Sequence, residues 1–376
     1  MKTLAIDLTY ETLGGSNTQI VQFVQNIGVY DFDRCIIYTN LNNLKLFKEI
    51  NKNNVSVVNV KFIYNSLLKR ILWQQLILPF RLVFDKVSIL YSPGNISPIL
   101  SFTKKVQWIG TIGPFENLFY RSFSTKDRLK LYLNKILMKY SAMTSDHVIF
   151  MSEYTFKLFV NKHNFNKKKG SVIHIGRDID FYPSDKIMEK IALKYAHNKF
   201  ILSVSILYPY KNIETLIKAF SQCVKNNNEL VLLIAGSAPF IKYHDYLLNL
   251  VESLGLTNKV IFLGHLSKTE LRDLYSSCYM FVFTSPFENF SHILIEAMSC
   301  GAPVITTNTT AMPEACGNAA LYFDPYDVDQ LSHAMNRMLL DKSLRELCSK
   351  NSIEQSQTIN SSREVSSRVY GILSKH

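Results

Sequence analysis

Short apolar runs of strand character alternate with helical patterns along almost the whole chain. Strand-like runs fall at residues 3–9, 35–39, 55–60, 88–91, 106–111 and 147–152, and again at 200–205, 229–235, 260–263, 280–284 and 304–306. Between them the apolar positions recur at helical spacing, as in the pattern after the capping-box sequence Ser16-Asn17-Thr18-Gln19, which runs through Val21, Phe23, Val24 and Ile27. Further helices are predicted at 67–78, where Pro79 is expected to stop the pattern, and at 127–141, 214–220, 271–278, 291–299, from Asp327 onward, and at 362–373. Strands separated by helices predict an α/β protein with parallel sheets. A length of 376 residues suggests two domains. The linker-like stretch 182–199, with Pro183-Ser184-Asp185, places the boundary near residue 190.

Composition narrows the class. The six cysteines (Cys35, Cys223, Cys278, Cys300, Cys316 and Cys348) are scattered with no C-x-x-C pair, which reads as reduced thiols in a cytoplasmic protein. The amino terminus carries Asp7 within its apolar run and no cleavage pattern, so it reads as a first strand rather than a signal peptide. No stretch approaches eighteen uninterrupted apolar residues, and no transmembrane helix is expected. The net charge of +12 is one-sided: residues 1–190 hold 26 Lys+Arg against 14 Asp+Glu, and residues 191–376 hold 16 of each. A solvated lysine-rich face and peripheral contact with an anionic membrane are both open readings of this excess. Nucleic acid is not expected as a partner, because no nucleic-acid-binding motif accompanies the charge. The helix at 67–78 could lie on a membrane surface, but the absence of a wide charged face favours packing in the first domain's core.

The densest stretch is 279–305. An apolar run, Met280 to Thr284, meets the polar turn Ser285-Pro286-Phe287-Glu288-Asn289; a helical pattern to Ser299 ends at Cys300-Gly301, and a second apolar run follows Ala302-Pro303. This is a βαβ footprint, and ligands of such units bind where the strand's carboxyl end meets the helix's amino end. Glu288 lies on that loop and Glu296 in the helix. The run from Glu288 through Glu296-Ala297-Met298-Ser299-Cys300-Gly301-Ala302-Pro303-Val304 resembles the E-x7-E signature of retaining, nucleotide-sugar-dependent glycosyltransferases of family 4, which have the GT-B fold. Asn289 and Ser291 stand where glycines are usual.

The resemblance covers the chain loosely and residues 200–325 closely. It implies two Rossmann-like domains facing across a cleft: an acceptor domain (1–190), a nucleotide-sugar donor domain (191–358), and a C-terminal helix (359–376) crossing back to the first. By the same resemblance, Glu296 would accept from the ribose hydroxyls and Glu288 would orient the donor sugar. Lys211, in Pro209-Tyr210-Lys211-Asn212, would meet the diphosphate together with the amides of Asn289, Phe290, Ser291 and His292. Backbone at His265 and Leu266 would meet the base, and the Gly14-Gly15 turn would lie opposite the diphosphate. Lys211 and Glu288 are the catalytic candidates. Phe115, Glu116, Tyr120 and Arg121 are candidates for the acceptor side. Two usual side chains are missing: Ile206 replaces an arginine, and Gly110 a histidine or arginine.

No cofactor and no metal are expected, since there is no D-x-D motif at a strand end and no histidine cluster. The implied function is transfer of a hexose-type sugar from a UDP- or GDP-linked donor to a glycan or polyprenyl-linked acceptor, in bacterial surface polysaccharide synthesis at the inner face of the membrane. The alternative is a non-catalytic GT-B protein that binds a nucleotide sugar or a partner.

Overall fold

The computed structural model describes residues 2–10, 23–24, 32–47, 53–63, 66–184, 199–227 and 229–376. Among these the chain forms two compact units, Met1–Gly176 with Asn360–His376, and Arg177–Ile359. The expected boundary near 190 lies outside the described residues.

The first unit is built on a parallel sheet of strands β1 (Thr3–Leu8), β2 (Arg34–Thr39), β3 (Val55–Asn59), β4 (Ile89–Ser92), β5 (Lys104–Ile109), β6 (His147–Phe150) and β7 (Gly170–Val172), in the order β3-β2-β1-β4-β5-β6-β7. β1, β2, β4, β5 and β6 are almost wholly buried, and all but β5, which carries Lys104, Lys105 and Gln107, are mainly apolar, as expected for parallel strands covered on both faces. Helices α1 (Leu67–Leu72), α2 (Leu78–Phe84), α3 (Thr125–Thr144) and α4 (Glu153–His163) belong to this unit.

The helix expected to stop at Pro79 does not stop there. Trp73–Ile77 forms a π turn, in which the Leu78 amide donates to the Trp73 carbonyl, and the chain continues as α2 to Phe84. Proline lacks the amide that an α-helix needs in its interior. The widened turn shifts the preceding carbonyls and puts Pro79 in the first turn of a new helical segment, where no amide is required. The inner face of this segment is core: Trp73, Leu78 and Leu82 pack with Tyr38, Ile36 and Leu90. The outer face is not core, since Leu68, Leu72, Leu76, Phe80 and Phe84 are exposed.

The second unit carries β8 (Phe200–Val204), β9 (Val231–Ala235), β10 (Val260–Gly264), β11 (Met280–Phe283), β12 (Val304–Thr307) and β13 (Ala320–Phe323), in the order β10-β9-β8-β11-β12-β13. Its longer helices are α5 (Ile213–Cys223), α6 (Ile241–Ser253), α7 (Lys268–Ser277), α8 (His292–Ser299), α9 (Val328–Leu340) and α10 (Lys342–Thr358). One core runs from α5 through the sheet to α9, including Phe220, Leu216, Leu232, Ile234, Val282, Met335 and Met338. Both sheets have the doubly wound Rossmann order, in which the first strand lies beside the fourth and the chain reverses its winding between them. In the second unit that reversal falls between β8 and β11, which pair in parallel.

The last helix, α11 (Ser362–Lys375), returns to the first unit. Its capping box, Ser361 with Glu364, fixes the start. The Tyr370 ring stacks on Phe23 with 4.5 Å between centroids, and its hydroxyl donates to the Phe23 carbonyl at 3.3 Å. The Gly176 backbone lies so close to Ser362 that a β-carbon there would sit 2.3 Å from the Ser362 Cα.

Candidate active site

The second unit gathers its chemistry at the carboxyl ends of β8 and β11, on either side of the winding reversal. After β8 the chain passes through a 3-10 turn, Pro209–Lys211, and then Asn212 in the left-handed region at φ 58°. Asparagine tolerates that conformation better than most residues. Its side chain is also used: Nδ2 donates to the Pro325 carbonyl at 2.6 Å, and Oδ1 accepts from Thr215 Oγ1 at 2.7 Å. Thr284 Oγ1, at the end of β11, donates to the Lys211 carbonyl at 2.9 Å. The backbone of Lys211 is therefore fixed from two sides.

The Lys211 ammonium forms an ion pair with Glu288 Oε1. The same oxygen accepts from Ser285 Oγ at 2.8 Å. The Lys211 Nζ also lies 5.2 Å from the Tyr210 ring centroid and 5.7 Å from that of Phe283, within cation–π range. Burial disfavours its charge, but Glu288 beside it, together with Tyr210 and Tyr208, outweighs burial and raises the ammonium's pKa above its ordinary value. A cation is thus held ready at the strand ends.

α8 starts at His292 with Ser291 as N-cap, whose side chain makes no capping hydrogen bond. The amide ends of such a turn carry partial positive charge and suit an anion. Its far end explains the motif's glycine. Gly301 adopts φ 77°, its amide donates to the Met298 carbonyl at 3.0 Å, and the Ala302 amide reaches Ala297 at 3.0 Å. This is a Schellman closure, followed by Pro303, which cannot continue the helix. Ser349 and Ser352 of α10 donate to the Gly301 and Ala302 carbonyls at 2.7 and 2.8 Å. The short helix is thereby locked at both the strand end and the packing face.

Glu296 projects toward Tyr275 of α7, whose hydroxyl donates to Oε2 at 3.5 Å. Burial pushes the Glu296 carboxyl up to about 8, and Asp178 nearby adds to the shift, while Lys268 opposes it. Asp178 is held by Lys268 Nζ at 2.5 Å, which also reaches Asp180 at 3.4 Å. Burial lowers the His292 imidazole to about 4, with Asp178 opposing, so the ring is neutral at neutral pH. Asp178, Lys268 and Tyr275 were not among the sequence candidates. They come from distant positions whose approach to Glu296 depends on the chain path, and no local motif marks them. Asn212 was legible only as the last letter of the Pro209-to-Asn212 pattern.

The remaining candidates divide. Asn289, Phe290 and Ser291 are buried beside Glu288. His265 is exposed and Leu266 partly so, on the loop after β10, where Gly264 has φ 71°. Ile206, the missing arginine position, follows β8 and is partly exposed. In the first unit, Phe115 is core: it is 8% exposed and packs on Phe159 at 4.9 Å between ring centroids. Glu116 accepts from Tyr154 at 2.9 Å, Tyr120 donates to the Pro114 carbonyl at 2.8 Å, and Arg121 is exposed. Gly110 is bound through its amide to Asn95 Oδ1 at 2.6 Å. Gly14 and Gly15, with the capped helix after them, lie outside the described residues. Among the described residues, no group of three or more His, Cys, Asp or Glu is placed to hold a metal ion. All six cysteines are buried free thiols.

Two Rossmann-ordered units with a C-terminal helix on the first define the GT-B class of glycosyltransferase folds. Solved GT-B proteins superpose over the full length: the Anabaena HepE complex with UDP and glucose at TM-score 0.77 and 20% identity, covering 100% of both chains. WaaG, a glycosyltransferase of lipopolysaccharide biosynthesis, superposes at TM-score 0.76 and 14% identity, covering 98% of this chain and 99% of its own. Residues 184–355, most of the second unit, match the sequence profile of the glycosyl transferases group 1.

Similar proteins include the Escherichia coli serotype-specific mannosyltransferase WbdA, 34% identical over 169 residues, which are 44% of this chain and 21% of WbdA. The Escherichia coli O-antigen chain mannosyltransferase B is 27% identical over 241 residues, 62% of each chain. The chain thus spans from about a fifth to three fifths of the length of these curated relatives. Among the described residues, no helix is long and apolar enough to cross a membrane.

Proposed function

We propose that this protein is a retaining glycosyltransferase that moves a hexose from a UDP- or GDP-linked donor to a glycan carried on a lipid, in the assembly of a bacterial surface polysaccharide. The observation that carries this reading is the fixed Lys211–Glu288 pair at the strand ends, beside the start of α8, the helix that carries Glu296. The mannosyltransferases among its relatives make mannose the first sugar to try.

In this reading, Glu296 receives the ribose hydroxyls and the amide end of α8 receives the diphosphate. Glu288 turns from Lys211 to the donor sugar's hydroxyls, and the freed ammonium moves onto the phosphate. The reaction is a front-face displacement. The bond from the anomeric carbon to the phosphate oxygen breaks, the acceptor oxygen bonds to that carbon on the same face, and the acceptor's proton passes to the leaving phosphate. Lys211 offsets the charge that develops on the diphosphate, so catalysis consists chiefly of positioning and electrostatic stabilisation, without a metal.

The test is to incubate the protein with UDP- and GDP-hexoses, with and without a polyprenyl-linked glycan acceptor, and to measure nucleoside diphosphate release. Release that requires the acceptor supports transfer. Ile206 and Gly110, where cationic side chains are usual in the resembled family, favour a second reading as a nucleotide-sugar-binding protein without turnover. Nucleotide binding with no release under any acceptor would select that reading.

A further inference from the structure

The outer face of α1 and α2 is apolar and uncovered. Leu68 and Phe80 are each 69% exposed, Leu76 59% and Phe84 77%. They recur at intervals of four or eight, and the π turn keeps the ridge on the outer side while Trp73, Leu78 and Leu82 remain in the core. The loop before β5 extends the patch. Gln75 pins that loop through the Ile99 amide at 2.9 Å and the Ser97 carbonyl at 3.2 Å, and Lys105 Nζ holds the Ile99 carbonyl at 2.9 Å. Leu100 and Phe102, each 78% exposed, are thereby presented next to the helix, and the Phe102 ring centroid is 6.2 Å from that of Phe80. An exposed ridge with this many large side chains is not what a surface helix of a freely soluble domain shows.

The charge around the ridge selects what covers it. Between positions 61 and 104 the chain has six Lys or Arg and one acid, Asp85. Lys61, Lys69, Arg81, Lys86 and Lys104 are exposed. Two of these cations sit against the apolar surface: Lys69 Nζ lies 5.6 Å from the Phe62 ring centroid and the Arg81 guanidinium 5.4 Å from that of Phe84. Aromatic and aliphatic tips rimmed by long basic side chains match the boundary between acyl chains and anionic headgroups.

We propose that the α1–α2 ridge with Leu100 and Phe102 seats the protein on an anionic lipid bilayer. The apolar tips enter the acyl boundary while Lys61, Lys69, Arg81, Lys86 and Lys104 meet the headgroup phosphates. The ridge lies on the first unit alone, and its binding to lipid requires neither donor nor acceptor, so it stands or falls apart from the transfer reaction.

The experiment is flotation of the full chain with vesicles of phosphatidylcholine alone or with an equal part of phosphatidylglycerol. The wild-type protein floats with the anionic vesicles, and raising the salt weakens this. The triple variant Leu76→Ser, Phe80→Ser, Phe84→Ser partitions at least about tenfold less, with an unchanged circular dichroism spectrum. Leu340→Ser, which removes an equally exposed leucine from the second unit, leaves flotation unchanged. The proposal is overturned if the wild type does not float, or if the triple variant floats as well as the wild type. It is also overturned if the triple substitution instead dissociates a dimer seen by sedimentation velocity without changing flotation, which would make the ridge a contact between copies of the chain.

Discussion

Lys211 is a cation held by one carboxylate and waiting for another anion. Its pairing with Glu288 helps keep it charged despite burial, and in the proposed reaction a donor diphosphate replaces that carboxylate with a stronger anion. Lys211→Ala is expected to lower the turnover number about 100-fold, in the range seen when one group that stabilises developing charge is removed, while nucleotide affinity falls far less. Steady-state kinetics on the variant check this, and a normal turnover number would remove Lys211 from the chemistry. Glu296 makes a pH prediction. Its carboxyl has an ordinary value of 4.5, and in the folded protein burial moves it to about 8. Between those values the unfolded chain has lost a proton that the folded chain keeps, so stability falls as pH rises through this window and levels off above it. Glu296→Gln removes the effect. The variant gains stability relative to wild type progressively from about pH 5 to about pH 8, as urea melts across that range would show; parallel curves would contradict the assignment. The candidates on the loop and helix of the E-x7-E stretch were legible because motif and local structure coincide there. Asp178 and Lys268 were not, because their effect on Glu296 arises only when the opening segment of the second unit folds against α7.

At the scale of elements, the site exists because β8 and β11 are neighbours. The glycine at the end of β9 shows how tightly the strand ends are drawn together. Gly236 has φ 137°, and a β-carbon there would lie 1.8 Å from the Ser205 carbonyl oxygen. Gly236→Ala is therefore expected to destabilise the second unit by roughly 2–4 kcal/mol, combining backbone strain with a clash against main chain that has no rotamer to escape through. Chemical denaturation measures this, and a loss under about 0.5 kcal/mol, the ordinary range of a surface substitution, would contradict it. Strand and helix positions were readable from periodicity, since fully apolar runs bounded by turns have few alternatives in a parallel sheet. The helix after Leu67 was not. It has no wide charged face opposite its apolar one, which reads as a core helix, whereas one side is core and the other is exposed. Sequence pattern alone does not separate burial from exposure when both faces are apolar, and Pro79 read as a stop because the π turn that accommodates it leaves no mark in composition.

For the whole molecule, the return of α11 to the first unit joins the chain's two ends. The Lys2 ammonium donates to the Ser374 carbonyl at 2.6 Å, and Tyr370 closes over Phe23. Truncation after Ile359 is expected to lower the melting temperature of the first unit while leaving the nucleotide-induced stabilisation of the second in place. Scanning calorimetry with and without nucleotide tests this, and loss of the nucleotide effect on truncation would contradict the division. The excess of basic charge in the first half was visible in the sequence, but its location around an apolar ridge required the fold. The central claim is that the second unit is a nucleotide-sugar site organised by Glu296, the α8 amide end and Lys211. Isothermal titration of the wild type and of Glu296→Ala with UDP and GDP tests it most directly. The account predicts that one of the two nucleotides binds the wild type and that the variant loses roughly 1–3 kcal/mol of that binding. Binding of neither nucleotide, or equal affinity in wild type and variant, would contradict it.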